Sequence, residues 1–135
     1  MSLACGAGLA ADFKTVGTAP AVLYDAPSTK GHKLYIVPRG APLEIMLSYG
    51  DWVKVRDVSG DTAWTPVRGL SARRNVVARA ATKVRSAEDE AATVVFVADK
   101  GVLLELVEPG ANGWTRVRHR DGLTGYVRSS EIWGI

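Results

Sequence analysis

The chain has 135 residues, 47% of them apolar and 23% charged, with a formal net charge of +3. That balance belongs to a globular protein and excludes a disordered polar chain or a membrane bundle, while so mild a charge gives only a slight preference for anionic partners. The single cysteine, Cys5, forms no internal disulfide and has no second thiol for a metal site, so neither staple is expected to hold the fold.

Residues 3–11 are small and apolar and stop abruptly at Asp12. They resemble the tail of a secretory signal peptide, so residues 1–11 are set apart as a signal remnant and the mature chain is expected to be periplasmic or secreted. The alternative is a lipid anchor through Cys5. No apolar run is long enough to span a bilayer.

A short first strand is expected over residues 13–16, then a break at Gly17, Thr18, Ala19 and Pro20, and a second extended segment over 21–24. Residues 25–32 have the composition of a long exposed loop, and 34–37 are expected to re-enter the core before Pro38, Arg39 and Gly40 break the chain again. Over 43–49 the alternation places Leu43, Ile45 and Leu47 on one strand face. A hairpin opening at Trp52 follows. The second half runs the same way: residues 75–85 extended, 86–92 a loop, 94–97 and 103–107 strands, and a hairpin opening at Trp114 with Asp121-Gly122 at its turn. No segment has a helical period long enough for an amphipathic helix of about ten residues.

The two halves form an internal repeat. Trp52, Val55, Arg56, Gly60, Thr62 and Trp64 recur 62 positions later as Trp114, Val117, Arg118, Gly122, Thr124 and Tyr126. Upstream the offset is 61, with Gly40, Leu43 and Glu44 falling on Gly101, Leu104 and Glu105. About five short strands per repeat, with turn signals every eight to twelve residues, predict an all-β chain of two small, strongly bent barrels packed against each other. The boundaries are placed at 12–72 and 73–135, joined by a connector too short for free swinging.

On these motifs the repeats resemble the bacterial Src-homology-3-like domain. The second repeat carries its signature as Thr82-Lys83-Val84-Arg85-Ser86-Ala87, Lys100-Gly101, Gly113-Trp114 with Val117, and Gly122 with Gly125-Tyr126-Val127. The first carries it as residues 21–27, Arg39-Gly40, Asp51-Trp52 with Val55, and Gly60 with Ala63-Trp64-Thr65. It departs where Ala63 replaces a glycine and Thr65 a valine, which leaves the geometry of its last hairpin open. The resemblance implies an exported, envelope-associated binding or targeting module that recognises peptidoglycan stem peptides or a protein segment. Members commonly accompany an enzyme carried elsewhere.

Catalysis needs a nucleophile beside a base, a carboxylate pair or a metal with convergent ligands. The two histidines, His32 and His119, occupy non-equivalent places in the repeats and have no cysteine partner, so no catalytic residue, metal site or cofactor is expected and the chain is read as non-enzymatic. Asp57, Asp61 and Asp121 read as turn formers. The aromatic residues are the better candidates, because a tryptophan opening a strand opposite Val55 or Val117 either covers the edge of the core or lines a groove.

The candidate ligand-binding residues are Tyr24, Asp25, Tyr49, Asp51, Trp52 and Trp64 in the first repeat, and Arg85, Trp114 and Tyr126 in the second. Residues 21–25 resemble the loop that sets a tyrosine beside a groove tryptophan, so Tyr24, Trp52 and Asp25 or Asp51 would make an aromatic trough with an acidic rim for an extended peptide bearing an amine. Between Thr62 and Ala87 there is no acidic residue, while Arg68, Arg73, Arg74, Arg79, Lys83 and Arg85 accumulate. That run is either a solvated connector or an anion-binding seam between the repeats. Nucleic acid is not expected, since the basic residues do not interleave with the aromatics. The expected partner is a cell-wall peptide or an envelope protein; in the alternative reading the aromatics form inter-repeat or homo-oligomer contacts.

Overall fold

The computed structural model of the chain describes residues 11–110 and 112–135. Cys5 and the rest of the expected signal remnant up to residue 10 lie outside them. The first repeat contains β1 (Phe13–Val16), β2 (Ala21–Tyr24), β3 (Lys33–Val37), β4 (Pro42–Tyr49), β5 (Trp52–Arg56), β6 (Thr62–Pro66), a 3-10 turn (Val67–Gly69) and β7 (Leu70–Ser71). The second repeats the series as β8 (Asn75–Ala78), β9 (Thr82–Arg85), β10 (Val94–Ala98), β11 (Leu103–Pro109), β12 (Trp114–Arg118), β13 (Thr124–Arg128), a 3-10 turn (Ser129–Glu131) and β14 (Ile132–Trp133). No helix among the described residues is long and apolar enough to cross a membrane.

Each repeat is one seven-stranded antiparallel sheet. The strand orders are β3-β2-β6-β5-β4-β1-β7 and β10-β9-β13-β12-β11-β8-β14, so the two topologies are the same. The all-β, tandem architecture agrees with the sequence reading. The barrels, however, are not closed by pairing, because each sheet keeps two edges. Curvature lets each sheet wrap its own core. One core is built on Leu23, Leu43, Val53 and Val55, the other on Val84, Leu104, Val117 and Val127.

Two expectations about individual strands change. In β4 a bulge between Ile45 and Leu47 shifts the register against β5, so Leu43 is buried but Leu47 is 48% exposed. The same bulge recurs between Leu106 and Glu108. The segment 34–37 does not re-enter the core as a whole: β3 is an edge strand that buries Val37 and turns Leu34 and Ile36 to solvent. The hairpin turns are also wider than a two-residue loop. In the second, His119 N–H reaches Leu123 O at 2.8 Å and only Gly122 takes a positive φ, of 95°, a value glycine adopts without steric cost.

The connector is pinned. The Thr15 hydroxyl donates to Arg73 O at 2.6 Å and accepts from Asn75 N–H at 3.2 Å, while Asn75 Nδ2 donates to Gly40 O at 2.8 Å. Phe13 meets Trp133 edge to face, with centroids 5.0 Å apart, and Arg74 lies over Phe13 while donating to Gly134 O at 2.8 Å. Gly134 has no room for a side chain: a Cβ there would sit 2.8 Å from Asn75 O and 3.2 Å from Pro42. The basic run therefore does not form one anion-binding seam. Arg74 is committed to the inter-repeat contact, and Arg73 lies 3.8 Å from Glu105.

The last hairpin of the first repeat keeps the geometry of the second despite Ala63. Val55 pairs with Ala63 as Val117 pairs with Gly125. A Cβ on Gly125 would stand 2.5 Å from Val84 Cγ1 and 2.7 Å from Arg85 O. At the position of Val84 the first repeat has Leu23, which branches one carbon further from the backbone, and Ala63 is buried there at 3% exposure. Gly125→Ala is therefore expected to destabilise the protein by about 1–3 kcal/mol through overpacking, and Ala63→Gly by only about 0.5–1 kcal/mol. Thermal denaturation of the two variants checks the order; an equal or reversed effect would contradict it.

Candidate functional site

Cross-strand partners share a face, and the registers of the first sheet gather most of the candidate aromatics on one outer surface. Tyr49 pairs with Trp52, Trp52 with Pro66, Lys54 with Trp64, and Trp64 with Tyr24. Val53 and Val55, the alternate residues of β5, point into the core. Tyr24 and Trp52 meet edge to face at 5.3 Å and 83°, an arrangement worth about 0.5–1.5 kcal/mol beyond the area it buries. Tyr24 is buried, Trp52 and Trp64 are half-buried, and Tyr49 is 67% exposed. The result is an aromatic shelf that shares its face with Lys54, the cross-strand partner of Trp64.

The acidic rim is only partly free. Asp51 is exposed in the turn before Trp52. Asp25 closes the base of its loop: its carboxylate accepts from His32 N–H at 2.8 Å and pairs with His32 Nδ1 at 3.1 Å. These contacts, the side-chain bond first and the backbone bond second, hold the Asp25 carboxyl below its ordinary value of 3.8.

The same outer face in the second sheet is built from different chemistry. Arg85 stands where the first sheet has Tyr24, and pairs with Tyr126 as Tyr24 does with Trp64. Arg128 stands opposite Trp114 where Pro66 stands opposite Trp52. Its guanidinium covers the indole at 4.4 Å, and Trp114 is only 5% exposed. Trp114 thus covers the edge of the core under a cationic cap, and Tyr126 is half-buried beside it. Arg128 also donates to Glu90, which arrives from the loop 38 residues earlier. Arg128 and Glu90 were not singled out by the sequence reading; the available signal was the repeat itself, in which arginine replaces tyrosine and proline at two paired positions.

Each histidine lies beside one aspartate. His119 Nδ1 lies 3.1 Å from Asp121 Oδ2 in the hairpin turn, and Asp121 is held below 3.8 mainly by Leu123 N–H and then by His119. In the first repeat Asp57 takes the place of His119 and accepts a 2.7 Å bond from the Tyr35 hydroxyl, whose pKa is raised by burial and by that bond. In the second, Phe96 instead lies against the His119 ring. Tyr–Asp and Phe–His are alternative ways of tying the same strand to the same turn. Among the described residues no group of three or more His, Cys, Asp or Glu side chains converges as a metal site.

A family model described as the bacterial SH3 domain matches the chain twice, over residues 17–71 and 78–134. The chain belongs to the bacterial SH3 domain family. No curated protein matches it. Solved structures similar to this tandem bacterial SH3 chain include NlpC2 and NlpC1 from Trichomonas vaginalis, each 12% identical with a TM-score of 0.43 over 93% of this chain. An NlpC/P60 family protein from Bacillus cereus ATCC 10987 is 14% identical, with a TM-score of 0.42 over 90% of this chain. The bacterial SH3 pair spans about half of each, covering 49%, 46% and 56% of their lengths.

The Asp25–His32 contact gives a pH dependence of defined sign. A carboxyl whose folded pKa is depressed contributes stability above its unfolded value and loses it as the pH falls through the folded one. The carboxyl carbon of Asp25, followed by NMR, is expected to titrate with a midpoint below 3.8, and the His32 amide to lose its exchange protection over the same range. A midpoint at or above that value would contradict the pairing.

Proposed function

We propose that this bacterial SH3 pair is a non-catalytic binding or targeting module of the cell envelope, whose first repeat holds an extended peptide of the cell wall, or a segment of an envelope protein, on its aromatic shelf. The observation that carries the reading is the gathering of Tyr24, Tyr49, Trp52 and Trp64 on one outer sheet face, with Tyr24 braced edge to face against Trp52. Rigid aromatic surfaces bind extended peptides at little conformational cost, and the exposed Asp51 beside Trp52 supplies a counter-charge for an amine. Family membership supports the envelope setting and a periplasmic or secreted location, with lipid attachment through Cys5 as the alternative. His32 ties its own loop to Asp25. The proposed domains are residues 12–72 and 73–135.

A second reading, an assembly protein whose aromatics glue surfaces together, draws on Trp133, which packs on Phe13 between the repeats, and on the exposed Ile36 of edge strand β3. Co-sedimentation with purified sacculi separates the two. Wild type is expected to pellet, and Trp52→Ala to weaken binding about thirtyfold, the size of a binding hot spot, while keeping its far-ultraviolet circular dichroism. Wild type left in the supernatant, or Trp52→Ala pelleting unchanged, would overturn the wall-binding reading. A concentration-dependent dimer by analytical ultracentrifugation would then favour assembly.

A further inference from the structure

The second repeat carries a built ionic groove that aromatic wall binding does not use. Lys83, Arg85, Glu90, Trp114, Arg128 and Glu131 line a cleft of about 250 Å³ on its outer face. Two guanidinium groups converge there on one carboxylate. Arg128 donates from Nε to Glu90 Oε1, and Arg85 Nη2 lies 4.0 Å from Glu90 Oε2. Both arginines are held in place by other contacts: Arg128 rests on the Trp114 ring, and Arg85 Nη1 donates to Ala92 O at 2.9 Å. The Arg85 side chain is 14% exposed, whereas that of Glu90 is 60% exposed and sits in the loop after β9.

We propose that this groove is a binding site for a ligand carboxylate, and that Glu90 fills it as an internal stand-in which a ligand displaces. The cations are pre-positioned, and a planar guanidinium fork suits a carboxylate better than a point charge does. The occupant is the mobile partner, since an exposed ion pair holds a long loop side chain only weakly. With Glu90 swung out, Lys83, Arg85 and Arg128 face the single carboxylate of Glu131, leaving two uncompensated positive charges. The cleft is small, which fits the terminal residue of a peptide or one acidic side chain rather than a long segment. The equivalent positions of the first repeat hold Val22, Tyr24, Thr29 and Pro66, so the site is specific to the second.

The test uses the full chain with 15N-labelled tryptophan, reading the Trp114 indole N–H, assigned through Trp114→Phe. The probes are N-acetylglycylglycine, its C-terminal amide, N-acetylglutamate α-amide with the α-carboxyl blocked, and inorganic phosphate. The acid is expected to shift the Trp114 signal in wild type and its amide to leave it in place. Glu90→Gln is expected to tighten the acid by up to about fivefold, the most an exposed ion pair resists displacement. Arg85→Gln in the Glu90→Gln background is expected to weaken it at least about tenfold, the loss of one charge-assisted contact. N-acetylglutamate α-amide distinguishes a side-chain from a terminal carboxylate as the source. No shift with either carboxylate in wild type and Glu90→Gln, or phosphate binding as tightly as the acid, would overturn the proposal. Soluble probes keep this outcome independent of sacculus binding.

Discussion

The pairing of Val53 with Thr65 and of Val55 with Ala63 decides which way the side chains of the first sheet point. Side chains alternate along a strand, so a slip of one residue would send Val53 and Val55 out and bring Trp52 and Lys54 in. Burial of the valines holds the register, because exposing a fully buried valine costs about 1.5–3 kcal/mol. Thr65 can be buried because its hydroxyl donates to Val22 O at 3.1 Å. The outward set, Trp52, Lys54, Trp64 and Pro66, is therefore fixed by the inward one. Val117, Thr115 and Val127 impose the same constraint on the second sheet.

Within that shared frame the core differs by exchanges such as Leu23 and Ala63 for Val84 and Gly125, and the outer face differs in charge. Leu43 and Leu104, or Val55 and Val117, occupy matching buried positions, since a close-packed interior tolerates little change in volume. Outside, Tyr24 gives way to Arg85 and Pro66 to Arg128. One face remains an aromatic shelf with half-exposed indoles. The other is closed by a guanidinium on Trp114 and a glutamate from a distant loop. The seam built by Thr15, Asn75, Arg74, Phe13 and Trp133 joins the two repeats by hydrogen bonds and a ring contact rather than a loose linker.

Much of the frame was legible in the sequence because it rests on periodicity. Alternation in Trp52–Arg56 and Trp114–Arg118 gave the strands, the offset of 62 in the hairpins and 61 upstream gave the duplication, and the glycines at 60 and 122 marked the turns. The bulges were not legible, since a one-residue insertion that turns Leu47 outward leaves no trace in composition. Nor was the capping of Trp114: a contact between Arg128 and Glu90 across 38 residues has no local signature. The contact of Asp25 with His32 was not legible for a similar reason. An aspartate beside an aromatic groove looks like a rim charge until His32, brought back by the loop, is seen to occupy it. The basic run from Arg68 to Arg85 was one feature in the sequence and became three in space, because alternation and the connector sent Arg74, Arg73 and Arg85 to different neighbours.

Equivalent tryptophans of the two repeats stand in opposite states, Trp52 half-buried and open at its outer face and Trp114 sealed beneath Arg128. Labelled with 5-fluorotryptophan, the intact chain gives one fluorine signal for each of its 4 tryptophans, and the change in shift between H2O and D2O reports solvent contact at each ring. The Trp52 signal is predicted to move clearly while that of Trp114 stays in place. A Trp114 signal that moves as far as that of Trp52 would contradict the account.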